Sequence, residues 1–205
     1  MTKPTSASAV RAAALLAAIL SSLPIAAAAQ EPAESPAREA SPFQLSLWDS
    51  VQVVNSSSSI HGVRLSLPYG RNWDVHGLDV GIVSRTDNDV LGVQFSLVGV
   101  VGGDLKGFQN DWLWGSVAGE MQGVQMSIVN VAGSFQGAQL GAVNYVSEGQ
   151  SLGAALGLVN YAPRVEGLQL GVVNVTEHLH GVQVGLVNVA TNGFLPVFVV
   201  FNAAL

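Results

Sequence analysis

The chain has 205 residues, which is enough for one domain with a sizeable core, and it contains no cysteine. Disulfides and thiolate metal sites are therefore excluded. The formal net charge is −6, from 8 basic and 14 acidic residues, and this balance argues against a nucleic-acid-binding protein, which needs a basic surface.

The N-terminal segment has the features of a secretory signal peptide. Lys3 and Arg11 precede a short apolar stretch, Ala12 to Leu20, which is too short to span a bilayer as a helix. Small residues follow, and Ala29 precedes the expected cleavage point. We expect export to remove residues 1–29 and leave a net charge of −8, because the signal carries two of the 8 basic residues. A membrane anchor is the alternative interpretation.

Residues 30–42, QEPAESPAREASP, are polar and rich in Pro, Ala and Glu. Such a segment buries too little apolar area to fold, so we expect a disordered tether. The ordered repeat domain is then expected over residues 43–205.

That domain consists of one short phrase repeated about every 15 residues. Each repeat opens on a glycine, called position 0 below, and successive opening glycines are 14 to 16 residues apart. They are Gly62, Gly77, Gly92, Gly107, Gly123, Gly137, Gly153, Gly167 and Gly181. A final phrase, LPVFVVFN from Leu195, fits the pattern without its glycine and forms a half-unit.

Polarity alternates within each phrase. Positions +1, +3 and +5 are apolar almost throughout, +2 is mostly Gln, +4 is mostly Gly or Ser, and +7 is Asn in the later repeats. Position −2 is apolar everywhere except at Ser151. Alternation with a period of two predicts a strand with one apolar face and one polar or small face.

Position −2 and positions +1, +3 and +5 would fall on opposite faces of an uninterrupted strand. We therefore expect a corner at the glycine, which accepts positive φ freely, so that both apolar sets point inward. This predicts an all-β fold, a β-solenoid of about nine coils of 14–16 residues. Stacked coils place like residues on like, which predicts an asparagine ladder that runs from Asn130 to Asn202.

A small outer-membrane antiparallel β-barrel is the alternative fold. A ten-residue segment such as GLQLGVVNVT could cross an outer membrane as one tilted strand, with positions +1, +3 and +5 toward lipid. Antiparallel neighbours would place the repeated glycines at alternating ends. The shared pattern of all nine repeats therefore favours parallel stacking.

The phrase G-φ-Q-φ-G-φ-V-N, the stretch LPYGRNWDVHGLDVGIVSR and the ending LPVFVVFN together resemble the bacterial surface-repeat-containing proteins first named from Leptospira. The resemblance covers about Phe43 to Leu205. It implies an exported protein of the cell surface or outer membrane, and it implies no catalytic residues. Residues 107–122 depart from the pattern, because Asn110 takes an apolar position and Trp114 the asparagine position.

An acidic column is the first candidate site. The residue three before the opening glycine is acidic in four successive repeats, at Asp74, Asp89, Asp104 and Glu120. Parallel coils would hold these carboxylates about 5 Å apart, where like charges repel. A hard cation such as Ca²⁺ could bridge them, and outward splaying with salt screening is the alternative.

Phe108, Trp112 and Trp114 form a second candidate, because aromatic side chains over polar neighbours can stack on sugars. The alternative is that they fill a packing misfit between two sets of coils. Of the histidines, His61 and His76 would stack in successive coils at the repeat edge. Asp74 is the only nearby candidate for the third ligand that a zinc site needs, and exposed histidines at a repeat edge are the favoured interpretation.

No catalytic motif of a hydrolase, metalloprotease or nucleotide-binding protein is present. The sequence therefore predicts a non-enzymatic exported protein, structural or partner-binding, at the cell surface, in the outer membrane or in the periplasm. The barrel alternative predicts a structural membrane protein or a minor pore. Neither reading identifies the partner.

Overall fold

The computed structural model describes residues 39–48, 51–193 and 195–204. The predicted signal peptide and nearly all of the predicted tether lie outside these residues. The first strand begins at Ala40, so ordered structure starts within the last residues assigned to the tether rather than at residue 43.

The described chain forms one sheet of twelve strands, with no helix in the described residues. The strands are β1 (Ala40–Trp48), β2 (Val51–Gln52), β3 (Ser59–Asn72), β4 (Val75–Thr86), β5 (Val90–Val101), β6 (Leu105–Met126), β7 (Val129–Leu140), β8 (Val143–Val146), β9 (Gln150–Leu156), β10 (Val159–Leu170), β11 (Val173–Ala190) and β12 (Val197–Ala204).

Successive repeats pair in parallel and in register. Gly77 pairs with Gly92, Gly92 with Gly107, and the series continues to Gly167 and Gly181. This stacking of about nine coils confirms the β-solenoid and rules out the antiparallel barrel.

Both ends of the stack differ from the prediction. At the N-terminal end, β1 adds a half-coil in parallel with β3, and its Gln44 pairs with Arg64. At the C-terminal end, β12 runs antiparallel to β11 and closes the sheet edge as a cap. Asn202 therefore pairs with Gln183 and does not extend the asparagine ladder, which ends at Asn188.

The predicted orientation of the strand faces was wrong. Strands such as β4 continue through the opening glycine without a corner, so positions −2, +2 and +4 share one face and point inward. Gln94, Gln109 and Gln125 at position +2 are fully buried, whereas no residue at +1, +3 or +5 of the nine repeats is. The apolar residues at +1, +3 and +5 therefore lie on the outside of the solenoid.

The opening glycine is required by close stacking inside a strand. All nine have a positive φ, between 128° and 155°. A Cβ built on Gly123 would lie 2.0 Å from the carbonyl oxygen of Gly107 in the preceding coil. The same contact recurs at the opening glycines from Gly77 to Gly181, and at Gly62 the carbonyl oxygen of Pro42 takes that place. Only glycine lets the backbone adopt this φ and approach that closely.

The interior has an apolar half and an amide half. The apolar half contains position −2 and the inward residue of the second strand of each coil; it includes Val75, Val90, Val101, Leu105, Val117, Met121, Ala132, Phe135, Val146, Ala162, Val165 and Leu179. The amide half contains the Gln and Asn side chains together with small residues at +4. Each coil thus buries a limited apolar area that becomes continuous only through stacking.

The asparagine ladder is confirmed from Asn130 to Asn188. Asn144 donates to Asn160 Oδ1 at 2.7 Å, Asn160 donates to Asn174 Oδ1 at 2.8 Å, and the same bond links each successive pair. Each amide also donates to a backbone carbonyl, which for Asn160 is that of Leu170 at 3.0 Å.

A second ladder of glutamines, which the sequence did not predict, runs beside it. Gln109 donates to Gln94, Gln125 to Gln109 and Gln139 to Gln125, each within 2.9 Å. Ala155 interrupts the column before Gln169 and Gln183.

At its N-terminal end the glutamine ladder meets a buried ion pair. Arg64 Nη2 lies 2.6 Å from Asp79 Oδ2, and both side chains are fully buried. Gln94 also donates to Asp79 Oδ2, at 2.8 Å. The two charges thus occupy positions that hold glutamine elsewhere in the column.

We predict that Asn160→Leu destabilises the domain by about 1–3 kcal/mol, because it leaves buried partners on Asn144, Asn174 and Leu170 unsatisfied. The control is Leu158→Asn in the same coil. Because the Leu158 side chain is 58 % exposed, this substitution should change the free energy of unfolding little. Urea denaturation measures both. Equal losses for the two variants would contradict the ladder's contribution.

We predict that Arg64→Gln alone destabilises by about 3–5 kcal/mol, because Asp79 is left buried and unpaired. The double variant Arg64→Gln with Asp79→Gln should recover most of that loss, since it extends the glutamine column by two members. A double-mutant cycle in urea measures the coupling. Additive losses would show that the two sites do not act as a pair.

Candidate interaction surface

The most distinctive surface of the molecule is an apolar edge. It is formed by the outward columns at +1, +3 and +5, which cover one flat face, and by a second outward column just beyond the corner of each coil. The second column contains Tyr69, Val83, Val98, Trp114, Val129, Val143, Val159, Val173 and Val187. Asn110 is the one polar residue in all of these columns, and none is charged.

The side chains of the flat face are open to solvent. Exposure is 41 % at Leu97, 53 % at Ile128, 58 % at Leu158 and 63 % at Leu186. The N-terminal half-coil continues the same columns with Phe43, Leu45 and Leu47, which are also exposed.

The apolar edge is larger than ordinary surface patches. Nine coils at about 4.8 Å each give a length of about 40 Å, and five strand residues give a width of about 17 Å. The flat face therefore covers on the order of 700 Å², and the second face adds about 400 Å², against about 300–600 Å² for the largest apolar patch of a typical monomer. Apolar surfaces of this size are typical of sites that contact another protein, a ligand or a membrane.

Charged and polar side chains collect on the opposite side, which we call the polar edge. It comprises the loops and strand ends from about position +10 to position −1. Its charged members include Asp87, Asp89, Asp104, Lys106, Glu120, Glu148, Arg164, Glu166 and Glu177. Each coil is therefore amphipathic across its section.

The aromatic candidates lie on the apolar edge. Trp112, in the +5 column, is 70 % exposed, and Phe108 stands outward against Phe95 with ring centroids 5.8 Å apart. The prediction that Trp114 takes the asparagine position was wrong. Gly115 pairs with Asn130, and Trp114 pairs with Val129 in the outward column, because this 16-residue coil carries an extra residue at its corner.

The acidic column is stacked as predicted, and its carboxylates accept backbone hydrogen bonds. Asp104 N donates to Asp89 Oδ1 at 2.8 Å, and Glu120 N donates to Asp104 Oδ1 at 2.8 Å. Asp74 accepts the amide of Asp89 in the same way at 3.1 Å. These donors stabilise the charged carboxylates and so offset part of the repulsion between neighbours. In the part of the chain that the structure describes, no three His, Asp or Glu side chains converge to hold a metal, and calcium binding stays a prediction.

The histidines behave as repeat-edge residues. His61 and His76 are stacked with ring centroids 4.6 Å apart and an interplanar angle of 12°. His178 and His180 are exposed on the polar edge, beside Arg164 and Glu166.

Asp111 is a buried carboxyl inside the amide half, at a +4 position that holds serine in the coils on either side. Its Oδ1 accepts a hydrogen bond from Ser96, and its Oδ2 has no hydrogen-bond partner among the described residues. Burial raises the pKa of Asp111 from 3.8 to about 7, although hydrogen bonds from Ser96 and Gln109 act in the opposite direction. One feature of the sequence could have indicated this site: Asp111 is the only acidic residue at position +4, where the other repeats have Ser or Gly.

Comparison of the chain with family models, curated proteins and solved structures found no match. Within the described residues, no helix is long and apolar enough to cross a membrane.

We predict that stability falls as pH rises from about 4 to about 7, because the unfolded chain releases the Asp111 proton near pH 4 and the folded chain holds it to about pH 7. One pKa unit corresponds to about 1.4 kcal/mol, so the loss is on the order of a few kcal/mol. Asp111→Ser, which restores the residue of the neighbouring coils, should raise the melting temperature at pH 8 and change it little at pH 4.5. An equal shift at both pH values would contradict the raised pKa.

Proposed function

We propose that this protein is an exported, non-enzymatic repeat protein of the cell envelope, and that it works as a rigid scaffold presenting the apolar edge to a partner. The observation that carries the proposal is the outward orientation of the +1, +3 and +5 columns. Apolar side chains that contribute little to the core, repeated over nine coils, are accounted for if they contact something outside the chain.

The interior supports the same proposal. The ladder amides of Gln and Asn are engaged with their stacked neighbours, so they hold the coils together. An extended solenoid of this kind offers a long regular surface, which is the usual binding device of stacked repeats. The alternative of a minor pore depended on a barrel, and the parallel solenoid removes that premise.

Export rests on the N-terminal segment, and fractionation of the producing cell tests it. We expect fractionation to find the mature chain in the envelope or outside the cell. N-terminal sequencing of the purified protein should show that it begins at Gln30. A substitution of Arg for Leu16, in the middle of the apolar stretch, should block processing, whereas Thr5→Ser should not. Recovery of the wild-type chain from the cytoplasm with residues 1–29 attached would overturn the proposal.

A further inference from the structure

The apolar edge is convex, and this shape restricts what can cover it. The flat face and the second face meet at the corner of each coil, so the outward columns wrap around one long side of the stack. A second copy laid on the flat face would bury about 700 Å², close to the roughly 800 Å² per partner of a standard interface, and would leave the second face in water. A fluid apolar phase would cover both faces at once.

The backbone and the polar side chains near this edge are suited to such a phase. Strand hydrogen bonds between coils pair the backbone of the stack, and an apolar medium tolerates only backbone that is paired internally. Apart from Asn110, the Asn and Gln side chains nearest this edge point inward, where most of them donate to a stacked neighbour in the asparagine or glutamine ladder.

The distribution of charged and aromatic residues fits a boundary between hydrocarbon and water. The columns of the apolar edge carry no charge, and the polar edge lies on the far side of each coil. Tyr161 is partly exposed at the margin of the second face, next to the polar edge, and it stacks on the buried Tyr145 with ring centroids 5.1 Å apart. Tyrosine and tryptophan are enriched where proteins pass from acyl chains to headgroups. Arg71 and Arg85 at the same margin are paired with Asp87.

We propose that the partner of the apolar edge is the acyl-chain region of a lipid bilayer, with the solenoid lying along the membrane surface and the polar edge in water. Partly buried interfacial elements enter a bilayer by about 5–10 Å, which matches the depth of one row of outward side chains. This inference rests on the envelope function proposed above and names the chemistry of its partner. The acidic balance of the chain favours zwitterionic lipid over anionic lipid.

Flotation with phosphatidylcholine vesicles tests the proposal. The protein is purified from whichever cell fraction holds it, so its location reports on the envelope function and its flotation reports on lipid binding. We expect the wild-type chain to float with the vesicles. The double variant Ile128→Lys with Leu158→Lys, which adds two charges to the +5 column, should lower the bound fraction at least tenfold.

The matched control is Gln136→Lys with Gln150→Lys, which adds the same two charges on exposed positions of the polar edge and should float like wild type. Melting curves of all variants confirm that they fold. Lipids brominated on the acyl chain should quench the tryptophan fluorescence of the wild type, and Trp112→Phe should reduce this quenching. Such a result would place the apolar edge in the hydrocarbon.

Three results would overturn the proposal. If the wild type stays in the buffer and sediments as a dimer that the Ile128→Lys, Leu158→Lys variant dissociates, the occupant is a second copy. If the wild type neither floats nor self-associates, or if both lysine pairs reduce flotation equally, the apolar edge does not bind lipid. Envelope localisation in any of these cases would leave the proposed function standing.

Discussion

Stacking of identical amide side chains at the spacing of β-strands is the constraint on which this structure depends. A buried amide needs partners for its donors and its acceptor, and within each ladder a Gln or Asn donates to its counterpart one coil away. The ladder atoms left without a partner among the described residues lie where a ladder begins, ends or is interrupted, such as Asn130 Oδ1 and Gln139 Oε1. That pairing is available only if the coils are parallel and in register. It also requires +2 and +7 to point inward, and the strict alternation of the strand then sends +1, +3 and +5 outward.

The outward apolar columns are therefore a consequence of the interior. The domain keeps a hydrophobic core, but only in the half of its cross-section next to the polar edge, where Val90, Leu105, Met121 and Phe135 pack in successive coils. The half next to the apolar edge is held by hydrogen bonds instead. Burial of apolar surface stabilises a protein by about 25 cal/mol per Å², and the exposed outer columns do not contribute this stabilisation. Contact with an apolar partner would bury them and supply it.

The sequence predicted the repeat, the parallel solenoid and most of the asparagine ladder, because these follow from spacing alone. The prediction of which strand face points inward was wrong, because the apolar residues at +1, +3 and +5 were expected inside. Burial of the amides is favourable only when the neighbouring coils supply hydrogen-bond partners, and a single repeat does not show this. In a strand that continues through the glycine, positions −2, +2 and +4 fall on the same face. The apolar residues at −2 would then have predicted that +2 and +4 point inward.

The ends and the candidate sites were predicted less well. Phe43-Gln44-Leu45-Ser46-Leu47 repeats the phrase without its glycine and could have revealed the half-coil of β1. The antiparallel turn of β12 could not be read from LPVFVVFN, because an alternating strand fits either pairing direction. Asp111, Arg64 and Asp79 are exceptions within their sequence columns. Only the contacts in the structure show that the Asp79 carboxylate is paired with a cation, whereas Asp111 Oδ2 has no partner among the described residues.

Labelling of single cysteines tests the orientation of the faces most directly, because the natural chain contains none. Leu158→Cys places a thiol in the outward +5 column, and Ala155→Cys places one at the inward +2 position of the same coil, where the glutamine ladder is already interrupted. A water-soluble maleimide should modify the native Leu158→Cys protein rapidly and the Ala155→Cys protein only after unfolding. Rapid modification of Ala155→Cys with protection of Leu158→Cys, in lipid-free monomeric protein, would contradict the amide interior and the apolar edge together.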